Sequence, residues 1–184
     1  MPLTGLPKPR KNDLRPSNTY APNRSGSTTA MPLVNSLDQD FKDFIGLLNA
    51  NGVRYMVVGG YAVAYHGYLR FTGDINVWVE ISEENAARLV LVMRAFGFGD
   101  MYRVADFMVP GDFIQLGVAP VRIDILNDVD GVTFSECFPA CKLDVWDGVQ
   151  VNFISLADLR KNKASTGREK DAADLRQLNK LNPL

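Results

Sequence analysis

The sequence predicts a two-layer α/β domain of the α+β type, with helices flanking a mixed, mainly antiparallel sheet. Three observations carry this expectation. Helical patterns gather at both ends of the chain, short alternating or fully apolar runs fill its middle, and the hairpin signal Trp146-Asp147-Gly148 joins the last two of those runs. With 184 residues, 46% of them hydrophobic and 22% charged, the chain is long enough for one domain with a full core and short for two.

Residues 1–34 are rich in Pro, Ser, Asn, Thr and basic side chains and have almost no apolar periodicity. Such a segment buries too little to offset its own ordering entropy, so it is expected to be a flexible arm or linker, with one domain over 35–184. Lys8, Arg10, Lys11, Arg15 and Arg24 against the single Asp13 suit contact with RNA; the repeat of Met1-Pro-Leu at Met31-Pro-Leu suits a linker or a second start. The domain should open at Ser36, a helix cap in capping-box spacing with Gln39, followed by the apolar face Leu37, Phe41, Phe44, Ile45 and Leu48. Asn51-Gly52 stops that helix.

Tyr55 to Val58 reads as a buried strand entering a tight Gly59-Gly60 turn, with a short helix from Tyr61 to His66 stopped by Gly67. Alternation from Asp74 to Glu80 predicts a second strand. Ser82 caps a long helix from Glu83 to Phe96, closed by Gly97. Further strands are expected at 106–109, 113–118, 121–126, 140–145 and 149–154. Two helices end the chain, Leu156 to Ala164 and Arg168 to about Leu181, the second opened by a Thr166/Glu169 capping box.

Composition narrows the function classes. Twenty Lys and Arg against 21 Asp and Glu give a net charge of −1, so attraction to nucleic acid or anionic lipid has to come from a local patch. Cys137 and Cys141, with no second pair and no neighbouring histidine, do not complete a zinc set and read as ordinary buried thiols in a reducing cytoplasm. No apolar run is long enough to cross a membrane, and the first thirty residues lack the core of a signal peptide.

The chemistry concentrates in "VGGYAVAYHGYLRFTGDINVWVE" and in "VRIDIL". Alternate strand residues share a face, so Asp74 and Asn76 point the same way about 7 Å apart while Ile75 and Val77 point inward. Asp124 likewise turns away from Ile123 and Ile125. If the two strands are neighbours, Asp74, Asn76 and Asp124 converge as oxygen ligands for a hard cation such as Mg²⁺ or Mn²⁺. Gly59-Gly60 lets backbone N–H groups approach a phosphate at a helix start. Lys163, Arg168 and Lys170 offer a triphosphate clamp, with Lys163 and Arg168 the favoured contacts, or, alternatively, a solvated face paired with Glu169, Asp171 and Asp174. Arg70 and Thr72 lead into Asp74 and either touch phosphate or order the loop. His66, the single histidine, is expected to cap or pack, and Tyr61, Tyr65 and Trp78 to pack.

These residues resemble the nucleotidyltransferase superfamily with the polymerase-beta-like fold: Val58-Gly59-Gly60, then Asp74-Ile75-Asn76-Val77, then Ile123-Asp124-Ile125. The stretches "GGYAVAYHG", "RFTGD" and "SLADLRKNKASTGREKDAADL" look like the small nucleotidyltransferases related to abortive-infection toxins of toxin–antitoxin systems. The resemblance covers roughly residues 37–180. It implies a two-layer nucleotidyltransferase fold and transfer of a nucleotide from a Mg-bound nucleoside triphosphate to a tRNA end or a protein hydroxyl, with an antitoxin as partner. Asp74 and Asp124 would hold metal, and Gly59, Gly60, Arg70, Thr72, Lys163 and Arg168 would hold nucleotide.

Asn76 departs from the pattern, which has an acid there. Its amide oxygen carries no formal charge, so Mg²⁺ should bind more weakly and turnover should fall by about 10²-fold or more. Three readings follow: an introduced change, a natural scaffold without activity, or an enzyme in which nucleotide and two carboxylates hold the metal. A regulatory nucleotide-binding module and a structural partner protein are the rival functions.

Overall fold

The structure, a computed structural model, describes residues 37–183; the expected arm over 1–34 and the cap at Ser36 lie outside the described residues. The first helix, α1 (Gln39–Ala50), is capped by Asp38, whose side chain accepts from Asp40 N at 3.0 Å. It buries Phe41, Phe44, Ile45 and Leu48, the face that the sequence marks. Each such side chain contributes about 1.5–3 kcal/mol on burial.

β1 (Tyr55–Val58) is apolar and buried throughout, and runs directly into α2 (Gly59–Tyr65). Gly59 and Gly60 are thus the first residues of the helix rather than a turn before it. β2 (Asp74–Val79) and α3 (Glu83–Met93) follow, α3 capped by Ser82 accepting from Asn85 N. α3 runs on through a single π turn, Arg94–Phe98, in which Gly97 takes φ 105°. β3 (Phe113–Val118) and β4 (Val121–Leu126) precede α4 (Phe134–Cys137), a short helix without sequence periodicity, extended by a 3₁₀ turn over Phe138–Ala140. β5 (Lys142–Trp146) and β6 (Val149–Phe153) close the sheet, and α5 (Leu156–Ser165) and α6 (Glu169–Leu181) end the domain.

The strands form one six-stranded sheet in the order β3-β4-β2-β1-β6-β5. β1–β2, β3–β4 and β5–β6 pair antiparallel, whereas β1–β6 and β2–β4 pair parallel. The sheet is therefore mixed and mainly antiparallel, as expected of this α/β class. The hairpin between β5 and β6 places Asp147 at φ 51° and Gly148 at φ 84°, the two left-handed residues that its turn demands. Ile75, Val77 and Val79 of β2 and Ile123 and Ile125 of β4 join the core formed with α1 and α3. That alternation turns Asp74, Asn76 and Asp124 to the opposite face.

Two further expectations are corrected. Residues 106–109 do not form a strand: Val104–Phe107 is a 3₁₀ turn, because the Asp106 carboxylate accepts from Arg103 N at 2.9 Å while Asp106 N donates to Arg103 O. That local side-chain capping outcompetes a weak alternation. The Thr166/Glu169 capping box does not form either, since Gly167 at φ 67° makes Arg168 the residue that precedes α6. Thr166 Oγ1 instead donates to Lys163 O and accepts from Arg168 N.

Candidate functional site

The site is built on the parallel pairing of β2 and β4. Its register sets Asp74 beside Arg122 and Asn76 beside Asp124, so four polar side chains form a square on one face of the sheet. Within it Arg122 links the acids. Its Nη2 donates to Asp74 Oδ2 at 2.8 Å and to Asp124 Oδ2 at 2.8 Å, and its Nε donates to Asp124 Oδ1 at 2.9 Å. The two carboxylates thus face one point from separate strands, and a single guanidinium nitrogen stands there.

Thr72 closes the other side of Asp74, its hydroxyl donating to Oδ1 at 2.7 Å. Burial alone would lift the Asp74 carboxyl. The Thr72 hydrogen bond, the charges of Arg122 and Lys170 and a hydrogen bond from the Asn76 amide outweigh it, so Asp74 titrates below the ordinary carboxylate value. Asp124 goes the other way: burial, with the charge of Asp74 added, lifts its pKa despite the bonds from Arg122 and Gln115. Two neighbouring acids with opposite shifts are a recurring property of functional sites.

The start of α2 meets this face. Gly59 lies at φ 64°, and a Cβ on it would sit 2.8 Å from Asn76 Nδ2; a Cβ on Gly60 would sit 2.6 Å from Thr72 Oγ1. The two glycines therefore admit the side chains of Asn76 and Thr72 as well as exposing backbone N–H groups.

A second cluster comes from the C-terminal helices. Lys163, only 6% exposed, donates to Asp171 Oδ1 and lies 3.4 Å from Asp174 Oδ2. Arg70 grips Asp174 through Nε and Nη2, and Arg168 Nε stands 2.9 Å from Asp171 Oδ2 as an ion pair. The acids of α6 are thus partners of these cations, in line with the alternative reading of the tail; Lys163, however, is buried rather than part of a solvated face. Arg168, with its side chain 71% exposed, is the cation of this cluster most available to a ligand.

Two adjoining clefts, of about 370 and 150 Å³, bring all nine expected site residues together. The larger holds Gly59, Asp74, Asn76, Asp124, Lys163 and Arg168, and the smaller adds Gly60, Arg70 and Thr72. Reasoning from sequence alone missed Arg122, as well as Asp128 and Asp130 on the rim and Gln115 behind Asp124. Arg122 was legible in principle, because it stands two residues before Asp124 and shares its face.

Among the described residues no three His, Cys, Asp or Glu side chains come together as a metal-holding group. The donor set is two carboxylates and one carboxamide. Because both carboxylates meet the same guanidinium nitrogen, they suit a single divalent ion at that point, in place of the guanidinium. His66 caps α2 and its Nε2 lies 2.8 Å from Ile154 O; Tyr65 stacks on Phe153, and Trp78 is buried edge-on to Phe134. These side chains pack. Cys137 is buried, with its thiol pushed up to about 11 by burial, and Cys141 is half-buried. No helix among the described residues is long and apolar enough to cross a membrane. No protein-family model matches the chain, and no curated protein matches it.

Proposed function

We propose that the cleft binds a nucleoside triphosphate and transfers its nucleotidyl group to a hydroxyl of RNA, such as a tRNA end, or of a protein. The observation that carries the reading is the convergence of Asp74 and Asp124, from separate strands, on one cation beside the Gly59-Gly60 helix start. In this reading the α2 amides and Arg168 hold phosphate oxygens, and Arg70, Thr72 and Lys163 keep the wall in register. A Mg²⁺ or Mn²⁺ ion held by Asp74, Asp124 and the Asn76 oxygen would polarise the α-phosphate. The acceptor hydroxyl attacks the α-phosphorus, a new P–O bond forms as the bond to pyrophosphate breaks, and Asp124 takes the hydroxyl proton. Its place on β4, across β2 from the Gly59-Gly60 helix start, suits it to that role.

Asn76 lowers this activity because it removes one charge from the metal-facing set. In this reading the chain works in the reducing cytoplasm that its unpaired cysteines suit, and the resemblance to small nucleotidyltransferases supports a toxin of a toxin–antitoxin pair with an antitoxin as partner. The reading is tested with α-labelled triphosphates, total RNA and lysate: the Asn76→Asp variant should label an acceptor at least about 10²-fold faster than the parent protein. No labelling by Asn76→Asp counts against it. A second reading, a nucleotide-binding module without catalysis, is favoured by Arg122 standing where the cation belongs. It predicts nucleotide binding indifferent to metal and no transfer in either form.

A further inference from the structure

We propose that Arg122 is a resident counter-ion of the acid pair: it holds Asp74 and Asp124 together in the metal-free protein and must leave them when a divalent ion enters. The inference rests on the metal-assisted reading above and adds a competition within it. One nitrogen, Nη2, lies 2.8 Å from both carboxylates, which is the point where a shared cation has to stand. Two cations cannot occupy it together, and the closer they approach the more they repel. Arg122 has room to leave, because its side chain is one-third exposed, 32%, and lines the larger cleft.

Asn76 tilts the competition toward the guanidinium. The planar fork clasps Asp124 through Nε and Nη2 and reaches Asp74 with the same Nη2, whereas a hard divalent ion gains most from a third formal charge, which a carboxamide does not supply. Arg122 and Asn76 therefore act in the same direction, and both favour the metal-free state. Arg122 is a positioning residue in this account, and displacement turns its charge toward whatever anion fills the cleft.

The test is direct binding of Mn²⁺ to the full chain without nucleotide, followed by the paramagnetic resonance of free Mn²⁺. Arg122→Gln should bind Mn²⁺ at least about tenfold tighter than the parent. Arg122→Lys, which keeps charge but loses the fork, should fall between them, and the gain should vanish in Arg122→Gln combined with Asp74→Asn. Equal affinities in parent and Arg122→Gln, a gain that survives Asp74→Asn, or no binding in any form would each overturn the proposal. A second measurement needs no variant. On addition of Mg²⁺ the Arg122 Nε–H resonance should move together with the amides of Asp74 and Asp124, and a static Arg122 signal beside moving acids overturns the competition. Nucleotidyl transfer is scored separately: labelling by Asn76→Asp with no Arg122 effect sinks the competition alone, whereas tighter Mn²⁺ binding in Arg122→Gln without labelling sinks the transferase reading.

Discussion

Arg70 holds Asp174 through two parallel hydrogen bonds, of 2.7 and 2.8 Å, joining the loop before β2 to α6 across 104 residues of chain. Asp174 is almost wholly buried, with 2% of its side chain exposed, and its remaining cation, Lys163, stands 3.4 Å away. Breaking a buried pair from one side leaves an under-compensated charge. Arg70→Ala is therefore expected to lose about 3 kcal/mol in urea denaturation. Arg70→Lys, which keeps the charge without the fork, should lose clearly less. An unchanged midpoint in Arg70→Ala would show that the pair does not tie the loop to α6.

Gly59 supplies a second test, because backbone and side-chain causes can be separated there. An alanine at φ 64° is strained by about 1–3 kcal/mol, and its Cβ also meets Asn76 Nδ2 at 2.8 Å. Gly59→Ala should therefore destabilise the parent by more than it destabilises Asn76→Ala, with a coupling of at least about 0.5 kcal/mol in a double-mutant cycle. Strict additivity would remove the contact with Asn76 from the account.

Much of the fold was legible because burial and hairpin chemistry write themselves locally. Tyr55–Val58, Asp74–Val79 and the Asp147-Gly148 turn show it, since each depends on period, run length or a left-handed pair. The turn at Val104–Phe107 was not, because one carboxylate capping its own backbone leaves no periodic trace. At the site, the face shared by Asp74, Asn76 and Asp124 followed from strand alternation. That Arg122 stands between the acids followed only from the parallel register of β2 and β4, a long-range pairing. The burial of Lys163 was hidden for a similar reason, since α5 alone looks polar and only its packing with α6 encloses the ammonium.

His66 gives a pH-dependent prediction. Burial, ahead of the charges of Arg160 and Lys142, lowers its pKa below 6.5 despite its bond to the Ile154 carbonyl. As pH falls through about 6.5 the unfolded chain takes up this proton before the folded one does, so His66 costs stability on the acid side of that value. Its contribution is fully present above pH 6.5 and is lost progressively below it. With a single histidine in the chain, its ring titration can be followed without assignment and should have its midpoint below 6.5. Stability should fall between pH 7 and pH 5 more steeply in the parent than in His66→Gln. Parallel slopes, or a midpoint above 6.5, would contradict this.

Nucleotide binding in the cleft is tested by titrating the four nucleoside triphosphates, each with Mg²⁺, into ¹⁵N-labelled protein. At least one should give saturable shifts at the amides of Gly59, Gly60, Thr72, Asp74 and Arg168, the walls of the two adjoining clefts. Saturable shifts confined to the β5 edge, or no shift with any of the four at about 1 mM, would contradict it.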